Sequence, residues 1–277
     1  MPRLQRPSAS IILLNQGLYR VLQDNNPPFI SPRDVGTILL LTLFLITIFS
    51  FIVDLNDTVM LLIGEVLIIV PALIYVAAKR LPLSIAFRMK KVSLRTVIAT
   101  LFLFFPVFVL TDEFDRLMQQ VFPMPQDWYD AMTELVRFQT VPQTIMILTA
   151  GVLVAALCEE WLFRGLVQQS LEKFRDPAMA MVLSSVFFAL IHFNPWTSIQ
   201  ILLLGLVLAY VAWKSGSVLP SMIIHALNNL FSLLMMNISE EELLVYAHDH
   251  VRLIWIGVSL VLLPAAIKMF NQSTRSA

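Results

Sequence analysis

The sequence predicts an all-α protein that crosses a membrane about eight times, with both termini in the cytoplasm. Three observations predict it. Of 277 residues, 58% are hydrophobic and 14% are charged, where a soluble domain carries about 25% charged residues. The apolar residues fall in runs close to the ~20 that cross ~30 Å of hydrocarbon as a helix. The loops between runs alternate in charge. Helices are the form that fits, because backbone groups in lipid must bond within their own segment. Formal net charge is zero, so no basic patch points to nucleic acid, and the surrounding partner is membrane lipid.

Eight runs qualify, at roughly 35–53, 59–78, 92–110, 143–165, 180–193, 197–213, 218–236 and 251–270. The run at 180–193 is short and ends at "FNPW", where Pro195 must break or kink the helix. Between the second and third runs lie Lys79, Arg80, Arg88, Lys90, Lys91 and Arg95 with no acid among them. Positive loops stay in the cytoplasm. Counting from there puts Arg3, Arg6, Arg20, Arg33, Lys173, Arg175, Lys214, Lys268 and Arg275 inside. Asp54, Asp57, Asp112, Glu113, Asp115, Asp127, Asp130, Glu134, Glu240, Glu241, Glu242 and Asp249 fall outside. Eight spans satisfy that alternation.

The apolar run at 11–14 is too short for the h-region of a signal peptide. Residues 10–23 place Ile11, Leu14, Leu18 and Leu22 on one helical face, which fits a helix lying on the membrane surface or an ordinary packing helix. Residues 1–34 therefore form a cytoplasmic segment and 35–277 one membrane domain. Residues 111–142 read as the longest outer loop. His248 and His250 read as solvated surface groups. Cys158 is the single cysteine, so an intrachain disulfide is ruled out.

Ionisable groups inside a span are functional candidates. Here they are Glu65, Glu159, Glu160, Arg164, His192 and His225. Glu160 and Arg164 are four residues apart, share a face and can neutralise each other. Glu159 is turned about 100° away and needs another partner. His192 shares a face with Phe188, and His225 with Asn229. Glu65 reads as an interhelical or snorkelling carboxylate nearer the outer face. By helix rise, Glu159 lies ~9 Å from the apolar edge near Gly165 and His225 ~10 Å past the start of its span. His192 comes level with them if a polar hairpin at 166–179 projects into the cytoplasm. The three groups then share a cavity in the cytoplasmic half of the membrane.

Three short motifs carry these groups: "EEWLFR" fits E-E-x-x-x-R, "FALIH" fits F-x-x-x-H and "HALNN" fits H-x-x-x-N. In that order they resemble the CPBP intramembrane proteases, the family of the type II CAAX prenyl proteases and of bacteriocin-processing and immunity proteins (the Abi family). The resemblance is anchored over residues 143–236. It implies an eight-helix endopeptidase of the CAAX type cutting a membrane-associated or lipidated peptide or protein. It implies that Glu159 and His192 bind and activate a water, that His225 and Asn229 stabilise the oxyanion, and that Glu160 and Arg164 are structural or orienting. Phe188 is the aromatic residue of the second motif and a packing group. In a bacterium the address would be the inner membrane.

These residue types suit amide hydrolysis, which needs a base for water and donors for the tetrahedral oxyanion. No cofactor is required for that. The alternative is a catalytic zinc on Glu159, His192 and His225, a His₂Glu set, although H-E-x-x-H is absent. Cys158 adjoins Glu159 but diverges from it around the helix, and Ser221, within hydrogen-bonding reach of His225, lacks a G-x-S-x-G. Two non-enzyme readings stay open. One is an inactive scaffold or immunity factor of the same fold, which would be expected to lose motif residues. The other is a proton-coupled transporter, which would be expected to show inverted repeats.

Overall fold

The protein is described from a computed structural model, which covers residues 30–238, 245–247 and 250–275. The interfacial helix expected at 10–23, the acids 240–242, His248 and Asp249 lie outside the described residues.

The described chain is helical almost throughout. Helix α1 is Pro32–Ile52, with Ser31 accepting from the Asp34 amide and proline in the first turn. Helix α2 is Asp57–Ala78, capped by Asn56, and α3 is a single turn, Leu83–Ala86. Helix α4 is Leu94–Val121, capped by Ser93, and α5 is Gln126–Leu135. Helix α6 is Val141–Leu171, α7 is Pro177–Leu190, α8 is Ser198–Ser215 and α9 is Leu219–Asn237. Two short antiparallel strands, β1 (Tyr246–Ala247) and β2 (His250–Val251), precede α10, Leu253–Ser273. Each side-chain cap satisfies an amide that the first helical turn leaves open.

Seven of these helices are long and apolar enough to span a membrane: α1, α2, α4, α6, α8, α9 and α10. The protein is a polytopic all-α membrane protein. The run expected at 180–193 is α7, whose 14 residues rise about 21 Å and fall short of the hydrocarbon thickness. It stops before "FNPW": Phe193 takes a left-handed backbone (φ 49°), and the Asn194 side chain accepts from the amides of Trp196 and Thr197.

Three expectations about loops are corrected. The third span does not end at 110; α4 continues to Val121 and carries Asp112, Glu113 and Asp115 on helix rather than loop. Partners along the helix and across the fold satisfy that polar extension. Arg116 pairs with Asp112 at 3.4 Å, and Glu113 accepts from the Val251 amide at 2.8 Å while holding His250 Nδ1 at 2.9 Å. His250 also meets Gln120 at 2.8 Å, so it is not a merely solvated surface residue. The outer loop likewise contains a helix, α5.

The third correction concerns the polar hairpin at 166–179. Helix α6 runs on to Leu171, and only residues 172–176 separate it from α7. The polar residues there are tied inward. Gln168 is buried and donates to the Ala209 carbonyl at 3.0 Å and to Glu172 at 2.9 Å, and Glu172 pairs with Arg88.

The loop after α3 packs under this end of α6. Gln169 donates to the Ile85 carbonyl at 2.9 Å, Ser217 to that of Lys90 at 2.6 Å and the Val218 amide to that of Arg88 at 3.1 Å. Phe87 is fully buried and stacks on Trp161 at 5.2 Å. Gly165 makes this fit possible: a Cβ there would stand 2.8 Å from Phe87 Cα and 2.9 Å from its carbonyl oxygen. Both obstacles are backbone and cannot rotate away.

Gly165→Ala is therefore expected to destabilise the fold by at least the ~1–3 kcal/mol typical of overpacking. Gly257→Ala, where nothing lies within 4 Å of the added carbon, serves as the control. A melting temperature in detergent that falls for the first and not the second checks this.

Candidate active site

Helix α6 is not uniform. An α-helical turn, Ala155–Glu160, sits between two π-helical stretches, Thr149–Val154 and Trp161–Gln168. Such wide turns re-aim side chains and are frequent at functional sites. Here they bracket the two glutamates.

Glu160 and Arg164 form a buried ion pair. Arg164 Nη1 donates to Glu160 Oε1 at 2.9 Å, and both side chains are 0% exposed. The pair reaches the neighbouring helices. Arg164 Nη2 donates to the Gly205 carbonyl of α8 at 3.2 Å, and the guanidinium lies 4.0 Å from the centre of the Phe188 ring on α7. Gly205 permits that approach, since a Cβ would meet Ser185 at 3.1 Å, Phe188 at 3.3 Å and Arg164 at 3.4 Å. On α9, His225 Nδ1 lies 2.9 Å from Glu160 Oε1. A carboxylate only accepts, so His225 carries its proton on Nδ1 in this contact.

Glu159 faces another way, as the helical phase predicts. Its Oε2 is 3.8 Å from His192 Nε2 and 3.9 Å from His225 Nε2. The two imidazoles therefore converge on one buried carboxylate oxygen. His192 stands on the turn just after α7, and its Nδ1 donates to the Phe188 carbonyl at 2.7 Å. That bond leaves its Nε2 bare toward Glu159 in the neutral ring. His192 keeps 29% side-chain exposure while His225 keeps 3%, so the cluster opens on the His192 side. Phe188 is buried edge-on against both imidazoles, at 4.9 and 5.7 Å, and holds their separation.

Asn229 lies one turn beyond His225 on α9. One of its N–H groups is bound to the Gly151 carbonyl, in the first π-helical stretch, at 2.8 Å, which leaves the second available. The structure thus brings Glu159, His192 and His225 together, with Glu160, Arg164 and Phe188 holding them and Asn229 anchored beside them. Two sequence readings fare differently. Ser221 donates to the Val218 carbonyl at 2.8 Å rather than to His225. Cys158 is buried. Among the described residues, no three His, Cys, Asp or Glu side chains form a group that could hold a metal ion.

The sequence reading missed Gly205, Gln168 and the carbonyl of Gly151. Gly205 had a weak signal, as a lone glycine within an apolar span, which it shares with Gly64 and Gly257. The other two had none, because a π-turn leaves no clear mark in the sequence.

Fold and site define a polytopic membrane protein with a carboxylate–histidine cluster inside its helix bundle. Residues 141–231 match the family model described as type II CAAX prenyl endopeptidase Rce1-like. The matched stretch is about a third of the chain and contains all three motifs. Neither a curated protein nor a solved structure matches it.

Arg164→Ala strips Glu160 of its cation within the membrane. Breaking a buried pair in this way costs about 3–5 kcal/mol. Expression or melting temperature in detergent should fall clearly. Glu160→Gln still accepts from His225 and Arg164, so its loss should be smaller. Thermal denaturation of the two variants beside wild type decides it, and equal stability of all three would contradict the structural role of the pair.

Proposed function

We propose that the protein is an intramembrane endopeptidase that hydrolyses a peptide bond of a membrane-associated or lipidated substrate with a water activated by Glu159 and His192. The observation that carries this reading is the convergence of two imidazole Nε2 atoms on Glu159 Oε2 at 3.8 and 3.9 Å. These spacings exceed a direct hydrogen bond and suit bridging by one water. The Rce1-like segment supports a CAAX-type protease, and a prenylated peptide is the substrate class to try first.

The parts divide by chemistry. The bare Nε2 of His192 accepts from the water and orients it, and Glu159 takes its proton as the water attacks the scissile carbonyl. The oxyanion then needs donors. Asn229 offers its second N–H. His225 donates from Nε2 only when both of its nitrogens carry protons, and the Glu160 carboxylate on its Nδ1 faces and supports that charge. Glu159 finally passes its proton to the leaving amine. The alternation of loop charges favours entry from the inner leaflet or laterally between helices. The roles need no metal; a zinc on Glu159, His192 and His225 is the competing reading, and it would require the three side chains to close in, since as they stand they form no group that could hold one.

The test uses purified full-length protein and an internally quenched, farnesylated peptide ending in a CAAX sequence. Glu159→Gln keeps the shape but cannot take the proton, so turnover should fall by about 10²–10⁴-fold at unchanged melting temperature. Wild-type activity should survive exhaustive chelation. Activity lost on chelation and restored by zinc would favour the metal arrangement. A Glu159→Gln variant as active as wild type would refute the assignment.

A further inference from the structure

Helix α7 has two working faces. Ser184 donates to the Phe163 carbonyl at 2.9 Å and Phe188 packs on both histidines, so that face belongs to the site. Leu183 and Phe187, four residues apart on the other face, line a cleft of about 490 Å³ shared with Val35 and Leu39 of α1. The α1 side of the cleft runs from Pro32 to Leu39, a rise of about 10 Å, against the ~15 Å that half of the hydrocarbon layer gives one lipid chain. Phe187 keeps 37% exposure, so the cleft is open at its side. Arg175, between α6 and α7, is the one polar side chain among those lining it. Among the described residues it has no side-chain hydrogen bond or ion pair. Arg33, next to Pro32, and Lys173 are exposed at the same end of the bundle. The nearby acids are engaged elsewhere: Asp34 by Ser31 and Tyr75, Glu172 by Arg88, and Asp176 by the Met179 amide. The charge left at the cleft is positive.

We propose that this cleft is a binding site for an anionic phospholipid, with one acyl chain between α1 and α7 and the phosphate on Arg175. The two parts of the site match the two parts of that ligand. The apolar slot takes a hydrocarbon chain by burying it. The guanidinium takes a phosphate through paired N–H donors. A zwitterionic lipid offers the same chain and phosphate but brings its own cation toward Arg33 and Lys173, which an anionic headgroup does not. Basic residues at the membrane surface attract anionic lipids in the same way. A chain bound here lies against the back of the helix whose end carries His192 and braces it from the side opposite the site. This binding is independent of the reading of Glu159 as a base.

The experiment uses full-length protein in maltoside micelles supplied with dioleoyl phosphatidylglycerol or, as the match with no net charge, dioleoyl phosphatidylcholine. Native mass spectrometry counts the lipids retained, and thermal melting reads the stabilisation that binding to the folded state confers. Wild type should retain one phosphatidylglycerol in preference to phosphatidylcholine and melt about 2–4 °C or more higher with it. Arg175→Gln should weaken that retention about 10-fold or more. Arg95→Gln, which removes an exposed cation outside the cleft, should leave it unchanged. Gly36 lines the cleft, and a carbon added there meets nothing within 4 Å. Gly36→Leu should therefore fill the slot and lose the phosphatidylglycerol shift. Without lipid it should melt no lower than wild type, because leucine favours a helix over glycine. Equal retention of the two lipids, or equal losses in Arg175→Gln and Arg95→Gln, overturns the proposal, as does a phosphatidylglycerol shift that survives Gly36→Leu. Another occupant overturns it too: a shift given by the farnesylated peptide and not by phosphatidylglycerol, or a dimer of the chain that Gly36→Leu dissociates.

Discussion

An ion pair with no solvent exposure inside a membrane bundle is the constraint on which this structure depends. Glu160 and Arg164 are each expensive to bury, and together they are tolerable only when every charge has a partner. Arg164 finds the Gly205 carbonyl and the face of Phe188. Glu160 finds His225. These demands clamp α7, α8 and α9 around α6. A pair this demanding specifies a geometry more than it adds stability, and the geometry it specifies is that of the histidines. Phe188 takes the cation on its face and packs steeply inclined to both imidazoles, so a single ring touches the ion pair and both histidines.

The two histidines face the same carboxylate oxygen at nearly the same distance, yet they are not equivalent. His192 rests its Nδ1 on a neutral carbonyl, and His225 rests its Nδ1 on a carboxylate. A carbonyl fixes a ring and its tautomer. A carboxylate does the same through a stronger, charge-assisted bond. In the proposed mechanism one histidine accepts from the water and the other donates to the developing oxyanion. The adjacent glutamates divide accordingly. Glu159 faces both imidazoles, and Glu160 holds the His225 ring.

Much of this was legible in the sequence, because helical phase is simple geometry. The i,i+4 spacing of Glu160 and Arg164 foretold their pairing and the separate direction of Glu159. Apolar runs located the long helices to within a few residues at most ends. The failures share one cause: tertiary partners, which the sequence does not display. Helix α4 outruns its apolar stretch because Glu113 finds partners on the β hairpin. Helix α6 outruns its own because Gln168 and Gln169 find backbone carbonyls across the bundle.

The claim that Glu160 prepares His225 is open to direct measurement. Nitrogen-15 NMR of histidine-labelled protein in detergent reports which ring nitrogens carry protons, with His192→Ala and His225→Ala assigning the signals. The account predicts His192 protonated on Nδ1 with a bare Nε2. It predicts His225 also protonated on Nδ1, toward Glu160, with that preference lost in Glu160→Leu. A bare Nδ1 on His225 in the wild-type protein, or a His225 signal indifferent to Glu160→Leu, would contradict it.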